Sequence, residues 1–216
     1  MSAVLFDMDG VLVDSEDYWV QFERAEILPA AVPDDDVDLA ELSGMNYRDI
    51  YDYLEEEYGT AISREEFVER FREAAEEIYT EQVSLLDGTH DLLERLDDRD
   101  VSTAVVSSSP HDWIDMVIAR FGLEGAFDHV ISADDVEAAS KPAPDVFEHA
   151  AEEIGVPAEE CVVVEDSENG IEAAARAGTY VVAYRIDAHG DIDRSSADVV
   201  VDSPAALRER VLERVS

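Results

Sequence analysis

The sequence predicts an α/β protein, a doubly wound parallel sheet interrupted directly after its first strand by an all-helical insert. Three observations carry this. From Gly88 onward, short apolar runs alternate with stretches whose apolar residues recur at helical spacing, as in strands joined by crossover helices. Residues 15–83 show helical spacing and no convincing strand. The run at 3–6 (Ala-Val-Leu-Phe) stands before that helical block yet resembles the later strands, so the insert splits one sheet domain.

In order, the first strand is expected at 3–6, with Gly10 allowing a sharp turn behind it. Helices follow at 18–25, 47–58 and 65–83, each with apolar residues on one face, and the Asp34-Asp35-Asp36 run between the first two reads as loop and helix start. The alternating part then gives helix 89–96, strand 101–106, helix 113–121 and a short strand at 129–131. Helix 144–154, strand 161–164, helix 171–177, strands 180–184 and 199–201, and helix 204–215 complete it. The expected domains are a core of residues 1–14 and 84–216 and a helical cap of residues 15–83.

Composition narrows the function classes. With 216 residues, 46% of them hydrophobic, the chain has enough apolar surface for a real core. Its 54 Asp and Glu face only 15 Lys and Arg, a formal net charge of -39 spread along the chain. Such a surface repels itself, and at 1 M salt the screening length falls to about 3 Å, which removes most of that repulsion. A salt-adapted, halophilic cytoplasmic protein is therefore expected. Nucleic acid and membrane are excluded as partners, since both need a positive face. The single cysteine, Cys161, reads as a small core residue, and the N-terminus enters a strand too early for a signal peptide. A monomer or weak homo-oligomer is expected.

Four short segments concentrate the chemistry: Asp7-Met8-Asp9-Gly10, Ser107-Ser108-Ser109, Lys141-Pro142 and Glu165-Asp166-Ser167. Three of them follow strand-like runs, and in an open parallel sheet ligands bind at the strand ends. Two carboxylates as near as Asp7 and Asp9 repel unless a cation or a shared proton compensates. A calcium loop is disfavoured, because Val11-Leu12-Val13 offers no side-chain ligand. The serine run reads as a helix start with Ser109 as cap and Pro110 behind it, and the same geometry forms an anion site. Lys141 is the only lysine beside fourteen arginines, which marks its ammonium as functional. Glu165 and Asp166 at a buried strand end need a cation to be desolvated together. A hard cation with oxygen ligands fits, and Mg2+ is the cation expected beside a phosphate. Asp166 or Ser167 also suits the cap of the following helix. The five histidines show no metal-ligand spacing, and Trp113 reads as core.

In order and strand context these segments resemble the haloacid dehalogenase (HAD) superfamily of phosphatases, a Rossmann-like core with a cap like that of the β-phosphoglucomutase and sugar-phosphate phosphatase subgroup. The resemblance implies that Asp7 attacks phosphorus to form an aspartyl-phosphate, while Asp9 protonates the leaving oxygen and later activates water. It further implies that Ser107, the Ser108 N–H and Lys141 hold the transferring oxygens. Mg2+ would be held by Asp7, the Asp9 carbonyl and Asp166, with Glu165 direct or through water. Gly44, Met45 and Asn46 correspond to the family's specificity loop. Ser15 matches the threonine or serine of the mutase branch, and four residues on, where a mutase carries histidine, Trp19 stands instead, which favours a sugar-phosphate phosphatase acting on a small phosphorylated metabolite. Arg48 sits one place from the family's cap arginine position, which Tyr47 occupies. A phosphomutase is the alternative enzyme, and a receiver-like phosphoaspartate module the alternative class.

Overall fold

The run Ala3–Phe6 forms β1, fully buried, at the centre of a six-stranded, all-parallel sheet. This computed structural model describes residues 2–34, 37–39, 42, 45–136 and 140–215. The other strands are β2 (Ser102–Ser107), β3 (His129–Ser132), β4 (Cys161–Glu165), β5 (Tyr180–Tyr184) and β6 (Val199–Val201), in spatial order β3-β2-β1-β4-β5-β6. Chain order reverses across β1, so the crevice for a ligand opens at its C-terminal end.

Alternate strand residues serve opposite faces. Val4, Phe6, Val105, Val162 and Val182 belong to one apolar cluster, and Ala3, Leu5, Ala104, Val163 and Val181 to the other. Both faces are covered, which is why these strands read as continuous apolar runs. Cys161 is fully buried, as expected of a core residue.

The insert between β1 and β2 is helical. It contains α1 (Glu16–Phe22), α2 (Leu28–Ala31), α3 (Tyr47–Glu57) and α4 (Arg64–Glu77). Two of the expected helices are interrupted. A π-helical turn, Glu23–Ile27, joins α1 to α2, and another, Ile78–Gln82, extends α4. A π turn inserts a residue and rotates the residues beyond it about the helix axis, and apolar spacing alone does not reveal it. Asp35 and Asp36 of the acidic run lie outside the described residues.

The core helices are α5 (Thr89–Asp97), α6 (His111–Phe121), α7 (Asp145–Ile154), α8 (Glu168–Arg176) and α9 (Pro204–Arg214). Small shifts from expectation matter at the site. Strands β2 and β4 each run one residue further, ending on Ser107 and Glu165. Helix α6 starts at His111 with Pro110 in its extended N-cap position, so Ser109 is not the helix cap. Its hydroxyl turns into the site instead. Ser167 does cap α8, accepting from Gly170 N at 3.1 Å.

Candidate active site

The ends of β1, β2 and β4 deliver Asp7, Ser107 and Glu165 to one crevice, and the loop before α7 brings in Lys141. Its ammonium lies 2.7 Å from Asp7 Oδ1 and 2.6 Å from Glu165 Oε1, with all three side chains buried. Burial works to lower the Lys141 pKa, but Asp7 and Glu165 hold it above lysine's ordinary value, so it stays charged. Burial, with Glu165 and Asp9, pushes Asp7 well above the carboxylate range against the opposing pull of Lys141. Asp166 is raised too, by burial and then by Glu16 and Glu165.

This surplus of buried acid fits a cation. Ligand oxygens of Asp7, Glu165 and Asp166 lie within 4.8 Å of one another, and Asp166 Oδ2 is buried without a hydrogen bond. Two glycines make the arrangement possible. A Cβ on Gly10, where φ is +71°, would collide with Asp166 Oδ2, and one on Gly170 would collide with the Glu165 carboxylate. An all-oxygen set of this kind suits a hard divalent ion.

Asp9 lies in different surroundings. Ser15 Oγ donates to its Oδ1 at 2.5 Å, Tyr79 Oη to the same oxygen at 2.7 Å, and Ser109 Oγ to Oδ2 at 3.0 Å. Burial and the nearby Glu16 raise its pKa, and the three hydroxyls oppose that rise. Tyr79 is itself fully buried and its phenol is pushed well above its ordinary value, by burial first and then by Asp9, so it acts as a donor. Tyr79 occupies the second π turn, and Arg120 of α6 fixes that turn by donating to the carbonyls of Tyr79 and Glu81 at 3.0 Å each.

Ser107 is buried and its hydroxyl accepts from Ser109 N at 3.0 Å, while Ser108 lines the crevice. Asn46 caps α3 and donates through Nδ2 to the Ser108 carbonyl at 2.7 Å, tying the insert to the end of β2. Trp19 and Met45 line a cavity of about 360 Å³ that also includes Asp7, Asp9 and Lys141. Both faces of Trp19 are covered, by Phe71 at 5.6 Å and Trp113 at 5.5 Å, and its Nε1 donates to Tyr79 Oη at 3.2 Å. Gly44 lies outside the described residues.

Sequence reasoning missed Tyr79, the inward turn of Ser109, and His189. Although the histidines gave no pattern, the His189 side chain is buried, with Nε2 2.8 Å from Glu16 and Nδ1 3.3 Å from the Asp166 carbonyl. Burial disfavours its charge, but the Glu16 carboxylate raises its pKa. No local signal marks it, since its partners are 23 and 173 positions away.

Carboxylates at neighbouring parallel strand ends, a buried lysine bridging two of them, and an overlying helical insert define an α/β enzyme with an enclosed, acid-lined site. The chain belongs to the haloacid dehalogenase-like hydrolases, whose family model matches residues 4–184. Relatives similar over almost the full length include hexitol phosphatase B of Escherichia coli (strain K12), 32% identical over 97% of this chain and 96% of that one. Phosphoglycolate phosphatase of Xanthomonas campestris (strain 8004) is also 32% identical, over 96% of this chain and 95% of its own. Among solved structures, CbbY of Rhodobacter sphaeroides in complex with phosphate shares the fold, with a TM-score of 0.80 at 24% identity and 96% of each chain covered.

Proposed function

We propose that the protein is a Mg2+-dependent phosphatase that hydrolyses small phosphate monoesters, sugar phosphates among them, through an aspartyl-phosphate on Asp7. The observation that carries this reading is the pairing of two unlike aspartates two residues apart. Asp7 faces a fixed ammonium and two further acids, and Asp9 sits among three hydroxyl donors.

An Asp7 carboxylate oxygen attacks phosphorus as the ester P–O bond breaks, and the electron pair of that bond goes to the leaving oxygen. Asp9, whose proton affinity burial and Glu16 raise, gives that oxygen its proton. Water then attacks the aspartyl-phosphate, Asp9 takes back a proton, and orthophosphate leaves Asp7 free. Ser107, the Ser108 N–H and Lys141 hold the phosphoryl oxygens, where charge stabilisation contributes most. Asp7, Asp166, the Asp9 carbonyl and Glu165 would hold Mg2+, which when bound neutralises the surplus acid and polarises the phosphate.

Residues 15–83 act as a cap whose closure excludes bulk water, with Met45, Asn46 and Trp19 shaping the wall near the leaving group. Arg48 supports hydrolysis over phosphomutase chemistry: its guanidinium is taken by Asp134 at 2.5 Å, outside the cavity, instead of awaiting a second phosphate. Relatives named for hexitol and phosphoglycolate phosphatase activity support the same class. The -39 charge supports a halophilic cytoplasm as the working environment, for a monomer or weak homo-oligomer.

The test is phosphate release from a panel of phosphate monoesters with Mg2+ in concentrated KCl. Turnover lost by at least about 10³-fold on Asp7→Asn is expected. Release unchanged in that variant, or none from any monoester by the folded wild type, sinks the reading.

A further inference from the structure

Two acids lining the cavity, Asp38 and Glu23, belong to neither cluster above, and of the two Glu23 is the less exposed. Glu23 opens the first π turn, Glu23–Ile27, and lines the same cavity as Asp7, Asp9 and Ser107. Glu23 is half-buried, and among the described residues its carboxyl has no hydrogen-bond or ion-pair partner. Every other acid at the strand ends has a lysine, a hydroxyl or a histidine beside it. A half-buried carboxyl at a cavity wall with no protein partner is free to bond whatever enters, and it loses part of its hydration when the cavity fills. The π turn is a second sign, because such turns recur at functional sites and here, as at Tyr79, one carries a polar group into the cavity.

The chemistry of the lining says what arrives. Of its cations, Lys141 is held by Asp7 and Glu165, His189 by Glu16, and Arg24 is exposed to solvent. No shielded, unengaged cation is therefore present among the described lining residues to receive a carboxylate or a second phosphate on the leaving group. Burial and the Glu16 carboxylate raise Glu23 to about 8, so near neutral pH it is mostly uncharged and both donates and accepts a hydrogen bond. That suits an alcohol better than an ammonium. Resting on the phosphatase reading, we propose that Glu23 is a specificity-determining residue that hydrogen-bonds a hydroxyl of a neutral, polyhydroxylated leaving group and disfavours anionic ones.

The experiment measures kcat/KM for phosphate release from glucitol 6-phosphate, glucosamine 6-phosphate and phosphoglycolate, with Mg2+, for wild type, Glu23→Gln and Glu23→Leu. Wild type is expected to prefer glucitol 6-phosphate to phosphoglycolate by at least about tenfold, as sites built to bond a hydroxyl do. Glu23→Leu should lose at least about tenfold on glucitol 6-phosphate and little on phosphoglycolate, while Glu23→Gln, which keeps a neutral donor and acceptor, stays within about threefold of wild type. Equal loss on both substrates in Glu23→Leu, or no loss on either, overturns the role while leaving the phosphatase intact. A preference for glucosamine 6-phosphate abolished by Glu23→Gln overturns the hydroxyl assignment in favour of a cation. Folded wild type that turns over no monoester overturns this proposal together with the reading beneath it.

Discussion

The strand ends of the sheet and the helical insert above them build one cavity with opposite materials. The sheet contributes charge: Asp7 and Glu165 on the Lys141 ammonium with Asp166 beside them, the acids at or directly behind the ends of buried strands. The insert contributes rings and hydroxyls: Trp19 between Phe71 and Trp113, and Tyr79 reaching down to Asp9. Charges of this density need fixed geometry, which central parallel strands provide. The insert sets shape and access, so it tolerates helix irregularity and exploits it.

The sharpest way to break this contrast is to remove the one cation at the strand ends. Lys141→Met leaves Asp7 and Glu165 buried and uncompensated, and loss of one partner from a buried ion cluster costs about 3–5 kcal/mol. Urea unfolding should show that loss, and phosphate release should fall by at least about 10²-fold as an oxyanion contact disappears. Added Mg2+ should restore part of the stability by supplying positive charge to the same acids. If Lys141→Met melts like wild type without metal, the charge balance ascribed to the strand ends is wrong.

The same contrast explains what the sequence disclosed. Asp7, Lys141 and Glu165 were legible because each sits beside a strand or proline that fixes it locally, and because Lys141 is the chain's only lysine. The ends of β2 and β4 were misplaced by one residue, since Ser107 and Glu165 are polar and look like loop while still bonding as strand. Tyr79 and Glu23 were not legible. Both lie in π turns inside stretches whose apolar spacing reads as plain helix, and the register change that aims them is a tertiary effect. Ser109 was read as a cap because serine before proline usually is one, yet its hydroxyl is bound to Asp9, a hundred positions away.

Removing one hydroxyl from the insert tests the other side of the comparison. Tyr79→Phe deletes one of three donors to Asp9 and leaves the ring packing in place, so stability should change little while kcat falls by about tenfold, the equivalent of about 1.4 kcal/mol. Ser15→Ala should do much the same, and a double variant should show non-additivity because both donors serve Asp9 Oδ1. A tenfold rise in KM with kcat unchanged would assign Tyr79 to substrate binding instead. Smaller still is Asn46→Ala, which removes a helix cap and the link to the Ser108 carbonyl. About 1 kcal/mol of stability should be lost in thermal melts, with a modest rise in KM.

The last effect expected is a gain, and its sign comes from linkage. Glu23 in the folded chain is raised to about 8, against a carboxyl pKa near about 4.3 when unfolded. Between those values the folded state binds the extra proton, so Glu23 contributes a term that weakens folding as pH rises through the window. Glu23→Gln removes that term. The melting temperature of the variant minus that of wild type should be near zero at pH 4, climb up to pH 8, and stay level above it, all at constant KCl. At a sheet acid such as Asp7 the neighbouring lysine and a bound divalent ion counter the same burial, and no comparable gain is expected from Asp7→Asn once Mg2+ is present. A Glu23→Gln difference that is flat across pH would mean that the carboxyl is already solvated, and that the insert shields its polar groups no better than the surface does.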